Sequence, residues 1–136
     1  MRPVSPAAEE AIRAAHEAGV VLALLSNTQP GQDRRRALKA AGLDALFGDR
    51  VFLSHELNLA KPNPAVYEHV LTDLQARPAQ VLMCGNNLEH DILPAAAQGI
   101  RAVLVGRAPG RLPPGATDIL SIAELPTLLT GAHIHG

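Results

Sequence analysis

The sequence predicts an α/β fold, a parallel sheet covered by helices on both faces, in a single domain over residues 1–136. Three observations predict it. Short apolar runs at 20–25 (VVLALL), 51–53 (VFL), 81–84 (VLMC) and 102–105 (AVLV) have the continuous character of strands buried on both faces. Segments of about ten residues with helical periodicity lie between them, the spacing of right-handed β-α-β crossovers. Glycine, proline and asparagine punctuate the junctions.

Each element follows from local chemistry. Ser5 and Pro6 are an N-cap and first-turn pair, Glu9 and Glu10 sit at the positive end of the helix dipole, and Ala8, Ile12, Ala15 and Ala18 recur at helical spacing. Gly19 stops that helix. The strand over 20–25 is then broken by Ser26-Asn27-Thr28-Gln29-Pro30-Gly31. Residues 32–41 read as a second helix, basic on its exposed side through Arg34, Arg35, Arg36 and Lys39 and ended by Gly42. LDALF (43–47) is a short amphipathic turn, and 51–53 a brief strand. SHELNLAKPNP (54–64) holds too many polar residues and prolines to extend that strand and is expected to be a loop.

Asn63 caps and Pro64 opens a third helix with Val66, Val70 and Leu74 inward and Tyr67 and Leu71 beside them, ended by Arg77-Pro78. The strand over 81–84 leads through Gly85-Asn86-Asn87 into a helix over 88–98, where Pro94 is tolerated near the first turn. The strand over 102–105, a Pro/Gly loop over 106–117, a short helix over 122–129 and a frayed tail over 132–136 complete the chain.

Composition excludes several function classes. Lys plus Arg (12) against Asp plus Glu (13) gives a net charge of −1, without the positive field that nucleic acid or an anionic membrane would require. Phe47, Phe52 and Tyr67 are the only aromatic residues, too few to form the stacking platforms of single-strand nucleic-acid readers. No apolar run approaches the roughly 20 residues of a membrane span. The start MRPVSPAAEE lacks a signal-peptide core, and the single Cys84 makes no intramolecular disulfide. We therefore expect a soluble, cytoplasmic protein with neither a nucleic-acid nor a membrane partner.

In α/β sheets ligands bind beyond the carboxyl ends of the strands, which directs attention to Ser26, Asn27 and Thr28, to Lys61, and to the stretch from Asn86 to Asp91. Taken singly, Ser26 and Thr28 are ordinary turn residues, Lys61 a solvated charge and Asp91 a helix-start acid. Taken together, a hydroxyl, amides, an ammonium and a carboxylate suit a phosphoryl group, which needs donors on its oxygens and a cation against its charge. The chain has no G-x-x-x-x-G-K-[ST] loop, no G-x-G-x-x-G and no G-x-S-x-G, so kinase, dinucleotide-dependent and serine-hydrolase chemistries lack their motifs.

On these residues the sequence resembles the haloacid dehalogenase (HAD)-like hydrolase superfamily, from about Pro6 to Leu129. VVLALLSNT is similar to the family's second motif, AKPNPAVY to its third and CGNNLEHDI to its fourth, while TDILSIAELPTLL resembles its last strand and helix. The resemblance implies a Rossmann-like three-layer fold and a phosphate-monoester phosphatase. Ser26 and Asn27 would bind the phosphoryl oxygens, Lys61 would neutralise the phosphate, and Asp91 with Asn86 would hold Mg²⁺. Asn86 stands where the family places an acid, which implies a weakened metal site.

The family's first motif, an Asp-x-Asp carrying the nucleophile, occurs nowhere in the 136 residues, so the family's first strand and cap are expected to be missing and the chain alone to be inactive or incomplete. Loss of that central strand is expected to rearrange the sheet, or to leave an open edge covered by a second copy or a partner chain. Asp33, Glu56, Glu89 and Cys84 make poor replacement nucleophiles, and His133 and His135 lie in the tail. The expected partner is a small phosphorylated substrate or anion. The alternative is a non-catalytic HAD-like module that binds an anion or a protein.

Overall fold

The computed structural model describes residues 3–128, which divide into two compact units, one formed by 3–56 with 121–128 and the other by Leu57–Leu120. In both, parallel strands alternate with helices, the expected α/β class.

In the first unit the Ser5 hydroxyl accepts the Ala8 N–H at 3.1 Å and starts α1 (Pro6–Glu17), which buries Ala11 and Ala15. Gly19, at φ +87°, turns the chain out, and the Val20 N–H closes back onto the Ala15 carbonyl at 3.0 Å. Val20 thus belongs to the helix's closing turn and Val21 is 70% exposed, so the strand expected over 20–25 begins only at Leu24. β1 (Leu24–Ser26) is as short as its partner β2 (Val51–Leu53), with which it runs in parallel register from Leu24 opposite Val51 to Ser26 opposite Leu53. Before the ladder, Arg50 substitutes for strand pairing: its Nε donates to the Leu22 carbonyl at 2.8 Å and its own carbonyl accepts the Leu24 N–H at 2.9 Å.

Asp33 caps α2 (Arg34–Ala40) by accepting the Arg35 N–H, so this helix starts two residues later than the sequence pattern suggests. A single turn, α3 (Asp44–Phe47), precedes β2, and the expected loop after it opens instead with another single turn, α4 (Ser54–Leu57). The core of this unit joins Leu38, Leu43, Phe47, Val51 and Leu53, with Val4, Ile12, Leu22 and Leu24 against it. Ser121 caps a 3-10 turn, Ile122–Glu124, which runs on into α-helix over 125–128, within the helix expected over 122–129, and Glu124 reciprocates at the Ser121 N–H. Leu129 and the tail with His133 and His135 lie outside the described residues.

In the second unit Asn63 caps α5 (Pro64–Leu74), which buries Val66 and Tyr67 and stops at the left-handed Gln75. A 3-10 turn, Pro78–Gln80, leads into β3 (Leu82–Gly85). β3, β4 (Arg101–Val105) and β5 (Ala116–Ile119) form a parallel sheet in that order, with Leu82 opposite Arg101 and Ala102 opposite Ala116. β5 takes in Ala116 and Thr117 from the expected loop, because Gly115 at φ +85° turns the chain back and its carbonyl accepts the Ala102 N–H. Thr117 and Asp118 are exposed, so this strand carries no apolar run by which to be recognised.

The helix expected over 88–98 is divided into a π-helical turn, Leu88–Ile92, and α6 (Leu93–Ala97). Pro94 explains the division: it has no N–H to give the carbonyl four residues back, that of His90, and its ring crowds it. The Tyr67 hydroxyl takes that carbonyl instead, at 2.5 Å.

The described strands thus form two parallel sheets, β1–β2 and β3–β4–β5.

Candidate functional site

In the second unit β3 ends at Gly85, and the next polar residues wrap around one carboxylate. Asn87 accepts the Glu89 and His90 N–H groups at 3.1 and 2.9 Å through its Oδ1, capping the π-helical turn. Its own N–H donates to Asp91 Oδ2 at 3.1 Å, and its carbonyl accepts the Asp91 N–H at 2.8 Å. The other carboxylate oxygen, Oδ1, accepts Lys61 Nζ at 2.6 Å. Both side chains are withdrawn from water, with 6% of Asp91 and 12% of Lys61 exposed, so the pair interacts in a weakly screening environment.

Gly85 makes this packing possible: a Cβ there would collide with Asp91 Oδ2 and stand 2.5 Å from its Cγ. Tyr67, through the His90 carbonyl, fixes the turn that carries Asp91. Burial raises the Tyr67 phenol well above its usual range, and the Asp91 charge adds to this. The same two causes push the Cys84 thiol up to about 11, so it is a protonated, weakly nucleophilic neighbour.

In the first unit β1 ends at Ser26, and Asn27 follows with an exposed side chain. The next residue, Thr28, is held from the end of β2: its N–H donates to Ser54 Oγ at 2.7 Å, its carbonyl accepts Ser54 Oγ at 3.1 Å, and its Oγ1 lies 2.6 Å from His55 Nδ1. Asp33 and Glu56 are tied to Arg35, Glu56 by two bonds of 2.9 and 3.1 Å. The Arg35 guanidinium bond holds Glu56 below its usual range, and the bond from the Arg35 backbone N–H does so for Asp33. Both acids are thus engaged with Arg35 at a half-exposed surface.

Of the residues singled out by sequence, Lys61 and Asp91 meet directly, Asn86 is exposed at the end of β3, and Ser26 with Asn27 ends β1 in the first unit. Sequence reasoning passed over Gly85, Tyr67, Ser54 and His55. A glycine at a strand end before a buried acid, and a proline four residues after His90, were the available signals.

The donor set also tests a divalent metal. Asp91 offers one carboxylate whose two oxygens are already engaged, Asn86 is neutral, and among the described residues no three His, Cys, Asp or Glu side chains gather into a metal-holding group. The described residues do not by themselves fit Mg²⁺.

Comparison with known proteins decides the family. The model of the haloacid dehalogenase-like hydrolases matches residues 1–99. The chain belongs to this family. It is 33% identical over 123 residues to the phosphoserine phosphatase of Thermus thermophilus, covering 90% of this chain and 49% of that protein. A HAD phosphatase from Thermococcus onnurineus superposes with a TM-score of 0.78 at 26% identity, over 93% of this chain and 58% of that one. An uncharacterized protein from Listeria monocytogenes serotype 4b superposes with a TM-score of 0.82 at 26% identity, over 97% and 82%. The chain spans about half the length of the curated HAD-like relatives it matches.

Proposed function

We propose that this chain carries the phosphoryl-binding part of a HAD-like phosphatase acting on a small phosphate monoester. The observation behind this is the buried Lys61–Asp91 pair of 2.6 Å at the carboxyl end of β3. Asp91, fixed by Asn87 and by the absence of a side chain at Gly85, holds the Lys61 ammonium in one place, so that its charge meets the non-bridging oxygens without reorganisation. Ser26 and Asn27 supply hydroxyl and amide donors to the same class of ligand. With Asn86 in place of an acid, charge neutralisation falls on Lys61, and no step here is assigned to a metal. Asp-x-Asp is absent from the sequence, so the nucleophile that would form an aspartyl-phosphate is not among these residues.

A reducing, cytoplasmic setting suits the single thiol of Cys84, and no helix among the described residues is long and apolar enough to cross a membrane. We also propose that the open side of a sheet is covered by a second copy or a partner chain. Asn86 favours a second reading, an anion-binding module without catalysis.

Titration of the 136-residue chain with orthophosphate, followed by NMR, tests the binding claim. Saturable binding is expected in the parent chain and its loss in Lys61→Ala. Binding that survives Lys61→Ala would refute the assignment.

A further inference from the structure

The parallel ladder of the first unit ends with Ser26 opposite Leu53, where the chain after β2 turns into α4. Two residues further on, the backbone groups of Thr28 have no strand beside them. A single side chain replaces the missing rung: Ser54 Oγ accepts the Thr28 N–H at 2.7 Å and donates to the Thr28 carbonyl at 3.1 Å. A second contact acts on the side chain, with Thr28 Oγ1 2.6 Å from His55 Nδ1 and accepting the His55 N–H at 3.4 Å. These contacts bridge 26 and 27 residues of sequence and are partly shielded from water. They are therefore costly to form by chance and hold the loop in one conformation.

From this geometry we propose that Ser54 and His55 are positioning residues: by fixing Thr28, they aim the Ser26 hydroxyl and the Asn27 amide at an oxyanion. This rests on the phosphoryl-binding reading of Ser26 and Asn27. It adds that the donors work because the loop is clamped from the end of the neighbouring strand, since a donor displaced by about an ångström loses much of its effect.

The test is orthophosphate titration of the 136-residue chain and its variants, together with hydrogen exchange at the Thr28 amide. Ser26→Ala reports on the underlying reading and Ser54→Ala on the clamp. Ser54→Ala is expected to expose the Thr28 amide to exchange and to weaken phosphate binding about tenfold, whereas Ser54→Thr, which keeps the hydroxyl, restores both. If Ser54→Ala does not fold, Thr28→Val and His55→Ala remove the side-chain contact alone and are expected to weaken binding in the same sense. Weaker binding in Ser26→Ala with unchanged binding in the clamp variants would overturn the positioning role and leave the phosphoryl reading standing. Failure of Ser54→Thr to restore binding would also overturn it. Unchanged binding in Ser26→Ala would remove the phosphoryl reading and the clamp's role with it.

Discussion

Replacing Lys61 by methionine keeps most of the side-chain volume and deletes the ammonium. The Asp91 carboxylate would then remain in a site where 6% of it meets solvent, with the Asn87 N–H as its remaining described donor. Breaking a buried ion pair from one side costs about 3–5 kcal/mol, because a charge is left without its counterion. Lys61 is less enclosed, at 12% exposure, so the reverse change is gentler. In Asp91→Asn the amide oxygen can still accept from Asn87 and the ammonium can turn toward water, and we expect about 1–2 kcal/mol. The double variant removes both charges and should cost less than the two single losses added together, leaving a coupling of about 2 kcal/mol. Urea unfolding at neutral pH reads all four corners of the cycle, with midpoints compared at constant slope. A loss below about 1 kcal/mol in Lys61→Met, or strict additivity in the double variant, would mean that the two charges do not meet in solution.

Other consequences are smaller and independent. Tyr67→Phe leaves the His90 carbonyl without its donor and is expected to cost about 1–2 kcal/mol in urea unfolding. Combining it with Pro94→Ala, which returns an N–H four residues along, should recover part of that loss. Cys84, whose thiol burial raises to about 11, should resist iodoacetamide at pH 8 while folded and react readily once unfolded in urea. Glu56 and Asp33 lie below their ordinary values of 4.5 and 3.8. Their pairing with Arg35 therefore adds stability that is fully present above those values and is lost as pH falls through the lower folded ones. Arg35→Gln keeps the backbone N–H that lowers Asp33 but removes the guanidinium that lowers Glu56, so it should flatten the Glu56 part of the acid limb below about pH 4.5, by under about 1 kcal/mol because the group is well hydrated. An unchanged acid limb in that variant would remove Arg35 as the cause.

The chain's organisation could be read from its caps and apolar runs. Ser5 and Asn63 each cap the helix they precede, and VFL at 51–53 is β2. What sequence alone could not show depends on contacts distant along the chain. Val20 and Val21 look like strand residues, yet Val20 is held by the Ala15 carbonyl and β1 can be no longer than β2. Ala116 and Thr117 read as the end of a Pro/Gly loop, yet they belong to β5, since the edge of a parallel sheet accepts an exposed polar side chain such as that of Thr117.

The same holds for the site. Lys61 and Asp91 stand out because ammonium and carboxylate at strand ends suit a phosphoryl group. Their direct pairing, 30 residues apart in sequence, and the space left for it by Gly85 emerge only once the chain is folded. Asn87 looked like a turn residue and proves to be both the cap and a donor to the carboxylate.

The central proposal is that this chain binds a phosphoryl group through Lys61 and, without an Asp-x-Asp among its 136 residues, does not itself attack phosphorus. Hydrolysis of a generic aryl phosphate by the purified chain in the presence of Mg²⁺, with Lys61→Ala and Asp91→Asn beside it, tests this most directly. We predict no turnover above that of the two variants. Turnover by the parent chain that both substitutions abolish would contradict the claim, because it would place a working nucleophile within these 136 residues.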